Sequence, residues 1–542
     1  MTTRRQFMAV SGASLGAMAI VPSAVRGVRV VGTADYDLVI RGGTVFSGDG
    51  GPGVEADIAI TNGRIVAVAP RLRERGGEEI DARGLAVSPG FVDIHSHAEG
   101  NLSADPRLES AIRQGITTVV VGADGSSSFA GEAGKSFAEW ATQVESRKPS
   151  INYASMVGLG SVREAVVGEG DRRATAEELA RMTAMVERAL AEGACGVSTG
   201  LEYAPGAFAT ADELVALSRP AGAHGLPYAS HLRNEDDRLL ESIDEALSVG
   251  RGAKCPVQVS HLKQQGARNW PKYDASIARL TAARAEGIDA WFDVYPYEAY
   301  STGMSNLFPI SALDGGSAAF LARLADSAQQ PALRAYVQGK IDLLGGWDQI
   351  QIASARAPED RAAEGKRLGS YAQSIGMEPY ALCVAMLTRN NGSVATLGFG
   401  MSEENIDKLL AHPYGMVCSD GGAFAIDGPT RRGSPHPRGA GTFPRVLGRF
   451  VRERKALSLE AAIPKLTSVP AKRLKLADRG RLAPGMAADV VVFDPATIAD
   501  AATFANPFQY PVGITAVVVN GRIAIQRGER VAAESGRVLR PT

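Results

Sequence analysis

Two stretches of similar texture bracket the chain. From Tyr36 to about Gly90, short alternating apolar and polar runs (DLVIRGGTVF, ADIAITNGRIVAVA, EEIDARGLAVSPG) are cut by Gly-Gly, Asn-Gly and Arg-Gly pairs. Period-two alternation broken by turn dipeptides predicts half-buried strands. The texture returns in GMAADVVVFD and ITAVVVNGRIAIQRG, and NGRIVAV at 62–68 has a counterpart in NGRIAIQ at 520–526. The two ends, 36–90 and 475–540, are therefore expected to pair into one small β-sandwich.

Between them, over 91–470, the period switches back and forth. TAEELARMTAMVERAL carries apolar Leu179, Met182, Val186 and Leu190 at helical spacing behind a capping box of Thr175 and Glu178. TADELVALS repeats that start with Thr210 and Glu213, and RLLESIDEALSVG aligns Leu239, Ile243 and Leu247 on one face. Eight strand-like runs alternate with such helices: FVDIHSH, GITTVVVGAD, INYASMVGLG, GACGVSTGLE, PYASHL, CPVQVSHLK, IDAWFDVYPY and GMVCSDGG. Eight alternations predict an α/β fold, a parallel (β/α)8 barrel of the TIM type, with its chemistry at the C-terminal ends of the strands. The interval of about 298–392 is too long for one connection. It is expected to be an insertion after barrel strand 7, lying over the mouth as a lid, with a separate small domain as the alternative.

The 542 residues and 45% apolar content suffice for a large core plus a smaller one. With 58 basic against 59 acidic residues, bulk charge favours neither nucleic acid nor a membrane surface. Residues 1–26 differ from the rest. Arg4 and Arg5 precede an apolar run from Met8 to Val21, then Pro-Ser-Ala. This has the three parts of an export signal, of twin-arginine type, with cleavage expected near Ala24 and a periplasmic destination. The four cysteines, Cys195, Cys255, Cys383 and Cys418, lack the close spacing of a zinc knuckle, and buried free thiols are expected.

Candidate chemistry sits on the strand ends. In GVSTGLEYAPG one acid, Glu202, closes a small apolar run, and a carboxylate there needs a positive partner. Four of the seven histidines end predicted strands: His95 and His97 as His-x-His, facing one side, then His231 and His261. Asp420 ends GMVCSD. Imidazoles and a carboxylate on one barrel rim form the donor set of a divalent zinc-type ion. His412 and His436 read as structural or surface residues, and His224 as a surface turn residue.

The strings GFVDIHSH, SHL, VSHLK and CSDGG resemble the amidohydrolase superfamily. GVSTGLEYAPG, DVYPYEA and HPRGAGTFPRVLG resemble its D-aminoacylase branch, the N-acyl-D-amino-acid deacylases. The resemblance covers roughly 37–540. It implies His95 and His97 from strand 1, and His231 and His261 from strands 5 and 6, around one or two Zn2+ ions. Asp420, from strand 8, is implied as the metal-associated general base. The branch bridges its metal positions with a strand-2 cysteine in a Val-Gly-Asn-Cys-Gly string, but here the string reads VGADG and Asp124 holds that position. Glu202 is preferred as the bridging anion, for its longer stem and its strand between the ligand pairs. Asp124 is the alternative.

The resemblance also implies amide hydrolysis of an N-acyl-D-amino acid, with Arg438 taking the substrate carboxylate. Lys263, Tyr203, Tyr297 and Ser301 are further substrate-binding candidates. Two other readings stay open: an amidohydrolase of a different C–N bond (a dipeptide, a cyclic imide, a xenobiotic amide), and a catalytically silent scaffold. The expected partner is a small-molecule amide, with no nucleic acid, and a homo-oligomer is compatible with the class.

Overall fold

The computed structural model describes residues 34–130, 135–531 and 534–542. The expected leader, with Arg4, Arg5 and the cleavage near Ala24, lies outside them. Among the described residues no helix is long and apolar enough to cross a membrane.

Eight parallel strands form the barrel: β1 (Phe91–Asp93), β2 (Ile116–Val121), β3 (Asn152–Ser155), β4 (Val197–Gly200), β5 (Tyr228–His231), β6 (Val257–Val259), β7 (Ala290–Val294) and β8 (Gly415–Val417). Each lies in one of the eight runs read from sequence. Neighbours pair in parallel from β1 to β3 and from β4 to β8. Val157–Gly158, just past β3, pairs with β4. The ring closes beyond β8, where the Asp420 N–H donates to the His95 carbonyl at 2.9 Å and the His97 N–H to the Gly421 carbonyl at 3.0 Å. The closing bonds therefore run through the candidate ligands themselves.

Helix starts follow the local chemistry. Thr175 and Glu178 make a reciprocal capping box on the helix Ala176–Glu192. The second such start differs. Thr210 caps the Glu213 N–H, but the Glu213 carboxylate turns instead to buried Arg163, with both oxygens 2.7 Å from Nη1.

The two chain ends join one continuous nine-stranded sheet. Val490–Phe493 pairs antiparallel with Ala86–Pro89, which ties the C-terminal strands to the N-terminal ones. The two Asn-Gly-Arg turns meet. The Ala488 N–H donates to the Gly63 carbonyl, and its own carbonyl accepts from Gly521 N–H. Gly63 and Gly521 lie so close that a Cβ on Gly521 would fall 2.5 Å from the Gly63 Cα. One apolar core, with Leu38, Ile58 and Ile60 from one end and Val490, Val518 and Ile523 from the other, fills this sheet. Phe91 opens β1 and stacks on Phe443 at 5.5 Å and near Phe493 at 6.4 Å, which anchors the barrel to the sheet.

The insertion is more than a lid. Ala299–Gly303, Ile350–Ala355 and Val394–Phe399 form a three-stranded antiparallel sheet. Helices Gly316–Ala325, Gln330–Leu344 and Pro379–Arg389 pack with it around a separate core that includes Phe320, Val337, Ile352 and Met386. A self-supporting core lets this unit present a fixed wall to the barrel mouth.

Candidate metal centre and active site

At the mouth, the chain leaves three strands through an unusual backbone. Asp124 (φ 49°), His261 (φ 34°) and Asp420 (φ 48°) all lie in the left-handed region. Such residues cost of order 1–3 kcal/mol each and persist where surrounding structure holds them. Glycines make room for the first of them. A Cβ on Gly200 would sit 2.2 Å from the Asp124 carbonyl oxygen, and one on Gly125 would sit 2.6 Å from the Gly200 nitrogen. The β2 and β4 ends thus touch backbone to backbone.

This backbone gathers two overlapping donor groups: His95, His97, Asp124 and Asp420 in one, and Asp124, His231 and His261 in the other. Asp124 belongs to both. Its Oδ1 lies 3.4 Å from His95 Nε2 and 3.5 Å from His261 Nε2, and its Oδ2 lies 3.5 Å from His97 Nε2 and 3.7 Å from His231 Nδ1. Of the two candidate bridging anions, Asp124 is the one common to both of these groups. Glu202 reaches His231 Nε2 at 3.3 Å on the outer side, in a group with Glu235. Both carboxylates lie in turns just past their strands, and the left-handed backbone of Asp124 goes with its side chain lying among the imidazoles.

Asp420 Oδ1 is 3.1 Å from His97 Nε2, and its Oδ2 is 2.7 Å from Arg438 Nη1. Arg438 is buried over the Tyr295 ring at 4.6 Å, yet its Nε and Nη1 make no hydrogen bond. Its main chain is fixed from behind, because Arg438 N–H donates to His436 Nδ1 at 3.0 Å, while His436 Nε2 donates to the Ala299 carbonyl. His436 is buried and structural, and His224 is exposed at a helix C-terminus. His412 is half-buried beside Phe292.

A cavity of about 520 Å³ opens over the cluster and is lined by Tyr203, Lys263, Ser301 and Arg438 among others. Tyr297 is corrected: it does not line this cavity. It packs on Arg445 and His436, with its hydroxyl 3.5 Å from Asp500, and the tyrosines that line the cavity are Tyr203, Tyr295 and Tyr300. Lys263 lines the cavity but is held by both Glu235 oxygens at 2.7 Å.

Three acids behind the cluster escape a sequence reading. Asp293 Oδ1 accepts the His261 backbone N–H at 2.8 Å and lies 3.4 Å from His95 Nδ1, so it fixes the His261 main chain and orients the His95 imidazole from the rear. Glu235 Oε1 is 3.0 Å from His261 Nδ1. Asp93 accepts from the Ser419 N–H and hydroxyl. Asp293 shows the signal Glu202 shows, an acid in an apolar strand, whereas Glu235 hides in the polar run Asn-Glu-Asp-Asp.

The electrostatics are one-sided. Burial works against ionisation throughout, yet at Asp420 it is outweighed by Arg438 and His261, which hold the carboxyl well below its ordinary range. Asp124 is held low in the same way by His95 and His261. In return, and despite burial, Asp124 and Asp420 raise His97 to about 10, and Glu235 and Asp124 raise His231 to about 10. Burial alone moves Asp93 up to about 7, away from the rim. A cluster of ionised carboxylates this dense draws in positive charge.

The donors fit a metal ion. Buried His95 Nε2 and Asp124 Oδ1 face each other without a hydrogen-bond partner, which is costly unless a cation satisfies both. All donors are imidazole nitrogen or carboxylate oxygen, as divalent zinc-type ions take. The four cysteines are buried free thiols and none belongs to the donor groups.

A parallel barrel with such a cluster on its C-terminal rim is the frame of a hydrolase with a candidate metal centre. The chain belongs to the amidohydrolase family, whose model matches residues 78–339 and 421–525. It is similar to the N-acyl-D-glutamate deacylase of Alcaligenes xylosoxydans xylosoxydans, 36% identical over 93% of this chain and 96% of that protein. It is 33% identical to the D-aminoacylase of the same organism, over 94% of this chain and 98% of the relative. Among solved structures, N-acyl-D-glutamate deacylase from Bordetella bronchiseptica, complexed with zinc and a phosphonate mimic of the tetrahedral intermediate, superposes with a TM-score of 0.80. That pair shares 32% identity over 93% of this chain and 99% of that one.

Proposed function

We propose that this protein hydrolyses the amide bond of N-acyl-D-amino acids, with a zinc-type divalent ion at the His–Asp cluster. The observation that carries the reading is Asp124, shared by two donor groups, beside an ionised Asp420 on the same cavity. His95, His97, His231, His261, Asp124 and Asp420 would hold one or two ions. A bound divalent ion would supply Lewis-acid polarisation of the scissile carbonyl and acidify a water to a pKa of about 7.

The chain's own groups supply the rest. Asp420 is ionised across neutral pH, so it can accept the proton of the attacking water and return it to the departing amine. Arg438 offers Nε–H, which has no hydrogen-bond partner, to the substrate carboxylate, while its Nη1 is paired with Asp420. Asp293 and Glu235 keep His95 and His261 turned towards the cluster. Tyr203, whose ring lies 4.7 Å from that of His231, and Ser301 line the walls beside the reacting amide.

The relatives named for deacylation of D-glutamate and D-aspartate derivatives, and the D-aminoacylase, support this bond and this hand over another C–N bond. Retention of all four histidines and Asp420 speaks against a silent scaffold. The test is release of free amine from paired N-acetyl-D- and N-acetyl-L-amino acids. The reading expects turnover of the D forms, and fails if only L forms or only cyclic imides react. The leader in 1–26 supports an exported, periplasmic enzyme. Fractionation of cells expressing the full chain, against an Arg4→Lys, Arg5→Lys variant, tests that.

A further inference from the structure

We infer, resting on the deacylase reading, that a second cavity beside the metal cluster is a subsite for the acyl chain of the substrate, and that it favours long, unbranched acyl groups over acetyl. This cavity, of about 510 Å³, adjoins the one over the cluster, and the two share Glu202, Asn306 and Lys340 in their walls. One face of the insertion helix Gln330–Leu344 runs through both. Leu344 lines the first cavity, Lys340 stands at the shared neck and Tyr336 lines the second, each four residues from the next. Eight helical residues span about 12 Å, well beyond the reach of an acetyl group. The segment 306–313 follows the same track, with Leu307 in the first cavity, Asn306 in both, and Phe308, Ile310 and Leu313 in the second.

The bond order of the substrate sets its direction. Carboxylate, α-carbon, amide nitrogen, scissile carbonyl and acyl chain come in sequence. Arg438 takes the carboxylate end beside Asp420, beyond β8, and the donor cluster fixes the carbonyl at the centre of the mouth. The acyl chain therefore leaves towards the opposite side of the ring, where Glu202 follows β4 and borders the neck. An acetyl group stops there. A longer chain passes along the aliphatic stem of Lys340, whose ammonium is turned to buried Asp236. Beyond the neck Ile310 and Tyr336 are 37% and 43% exposed, so large apolar side chains stand open to solvent on one concave wall. That is the character of a groove waiting for an apolar ligand. On the facing barrel wall the Arg233 charge is already engaged by both Glu245 oxygens and the Ala207 carbonyl, so an alkyl chain strands no unpaired guanidinium.

The test compares kcat/KM of the metal-loaded enzyme for N-acetyl-, N-butanoyl- and N-octanoyl-D-leucine, below the concentration at which the octanoyl compound forms micelles. The inference expects octanoyl to exceed acetyl by at least about tenfold, the gain from burying about two methylenes. An Ile310→Asp, Tyr336→Asp double variant changes two exposed positions of the second cavity. It should lose that gain and leave N-acetyl-D-leucine turnover within about twofold of wild type. A wild type that hydrolyses octanoyl no faster than acetyl overturns the inference. So does a double variant that keeps the octanoyl preference or loses both substrates in parallel. If lengthening the amino-acid side chain, in N-acetyl-D-2-aminodecanoate, brings the gain that the double variant abolishes, the cavity takes the side chain and the acyl assignment is overturned. If no N-acyl-D-amino acid is hydrolysed, the deacylase reading fails instead. The subsite is then read from thermal stabilisation: a preference for N-octanoyl- over N-acetyl-D-leucine that the double variant abolishes supports it, and no preference overturns it.

Discussion

Asp124 Oδ1 and His95 Nε2 face each other at 3.4 Å inside the barrel mouth, and neither makes a hydrogen bond. Two buried polar atoms held like this, without a hydrogen bond, mark a place where a cation would satisfy both. Asp124→Ala should therefore lose metal and at least about 100-fold in activity, since ligand-shell changes commonly cost 10–100-fold and this one removes a shared ligand. Glu202→Ala, which touches only the outer face of His231, should keep its metal. Metal content by elemental analysis separates the two. Retention in Asp124→Ala with loss in Glu202→Ala would restore Glu202 to the centre.

Gly200 lets the β4 end press on the Asp124 backbone. A methyl there would meet the Asp124 carbonyl oxygen at 2.2 Å, so backbone rather than a pliant side chain must give way. Gly200→Ala is expected to fold, by its circular dichroism, yet bind metal at least about tenfold more weakly as Asp124 is displaced. Unchanged affinity would show that the centre tolerates movement of its shared ligand.

Arg438 should act on substrate binding more than on chemistry. Arg438→Lys keeps a charge beside Asp420 but loses the planar fork. The expected change is a KM raised by roughly 10- to 150-fold, about 1.5–3 kcal/mol of charge-assisted hydrogen bonding, with a smaller fall in kcat. A pure kcat defect with KM unchanged would move Arg438 from substrate binding to tuning of Asp420.

Lys465 offers a pH signature away from the site. Burial lowers its ammonium to about 8 from 10.5, although it donates to the His412 and Gly415 carbonyls. Between those values the unfolded chain binds more protons than the folded one, so this group makes stability rise with pH. The cost is fully present below about pH 8 and relieved by about pH 10.5. Lys465→Met should flatten the Tm–pH profile in that window relative to wild type. Its absolute Tm is a poorer guide, because the two carbonyls lose a donor.

Much of the barrel was legible because its chemistry is punctuated in the sequence. An apolar run ending in His or Asp marks the C-terminal end of a strand, and His95, His231, His261 and Asp420 all follow that rule. The two Asn-Gly-Arg turns forecast the union of the chain ends, whose strands hydrogen-bond into one sheet. Asp124 was harder to place. Asp-Gly reads as an ordinary turn, and no sequence feature announces a non-glycine residue at φ 49°. The role of Glu235 was hidden for another reason: its partners His261 and Lys263 lie beyond the end of the next strand, and only the fold brings them together. Tyr295 and Tyr297 share one short string, and which of them faces the cavity is decided by the exit of the chain from β7.

The most direct test removes the ion. Dialysis against a chelator should abolish N-acetyl-D-leucine hydrolysis while far-UV circular dichroism stays native, and stoichiometric Zn2+ should restore it, with one or two ions counted per chain. A fully active protein free of divalent metal would contradict the account at its root.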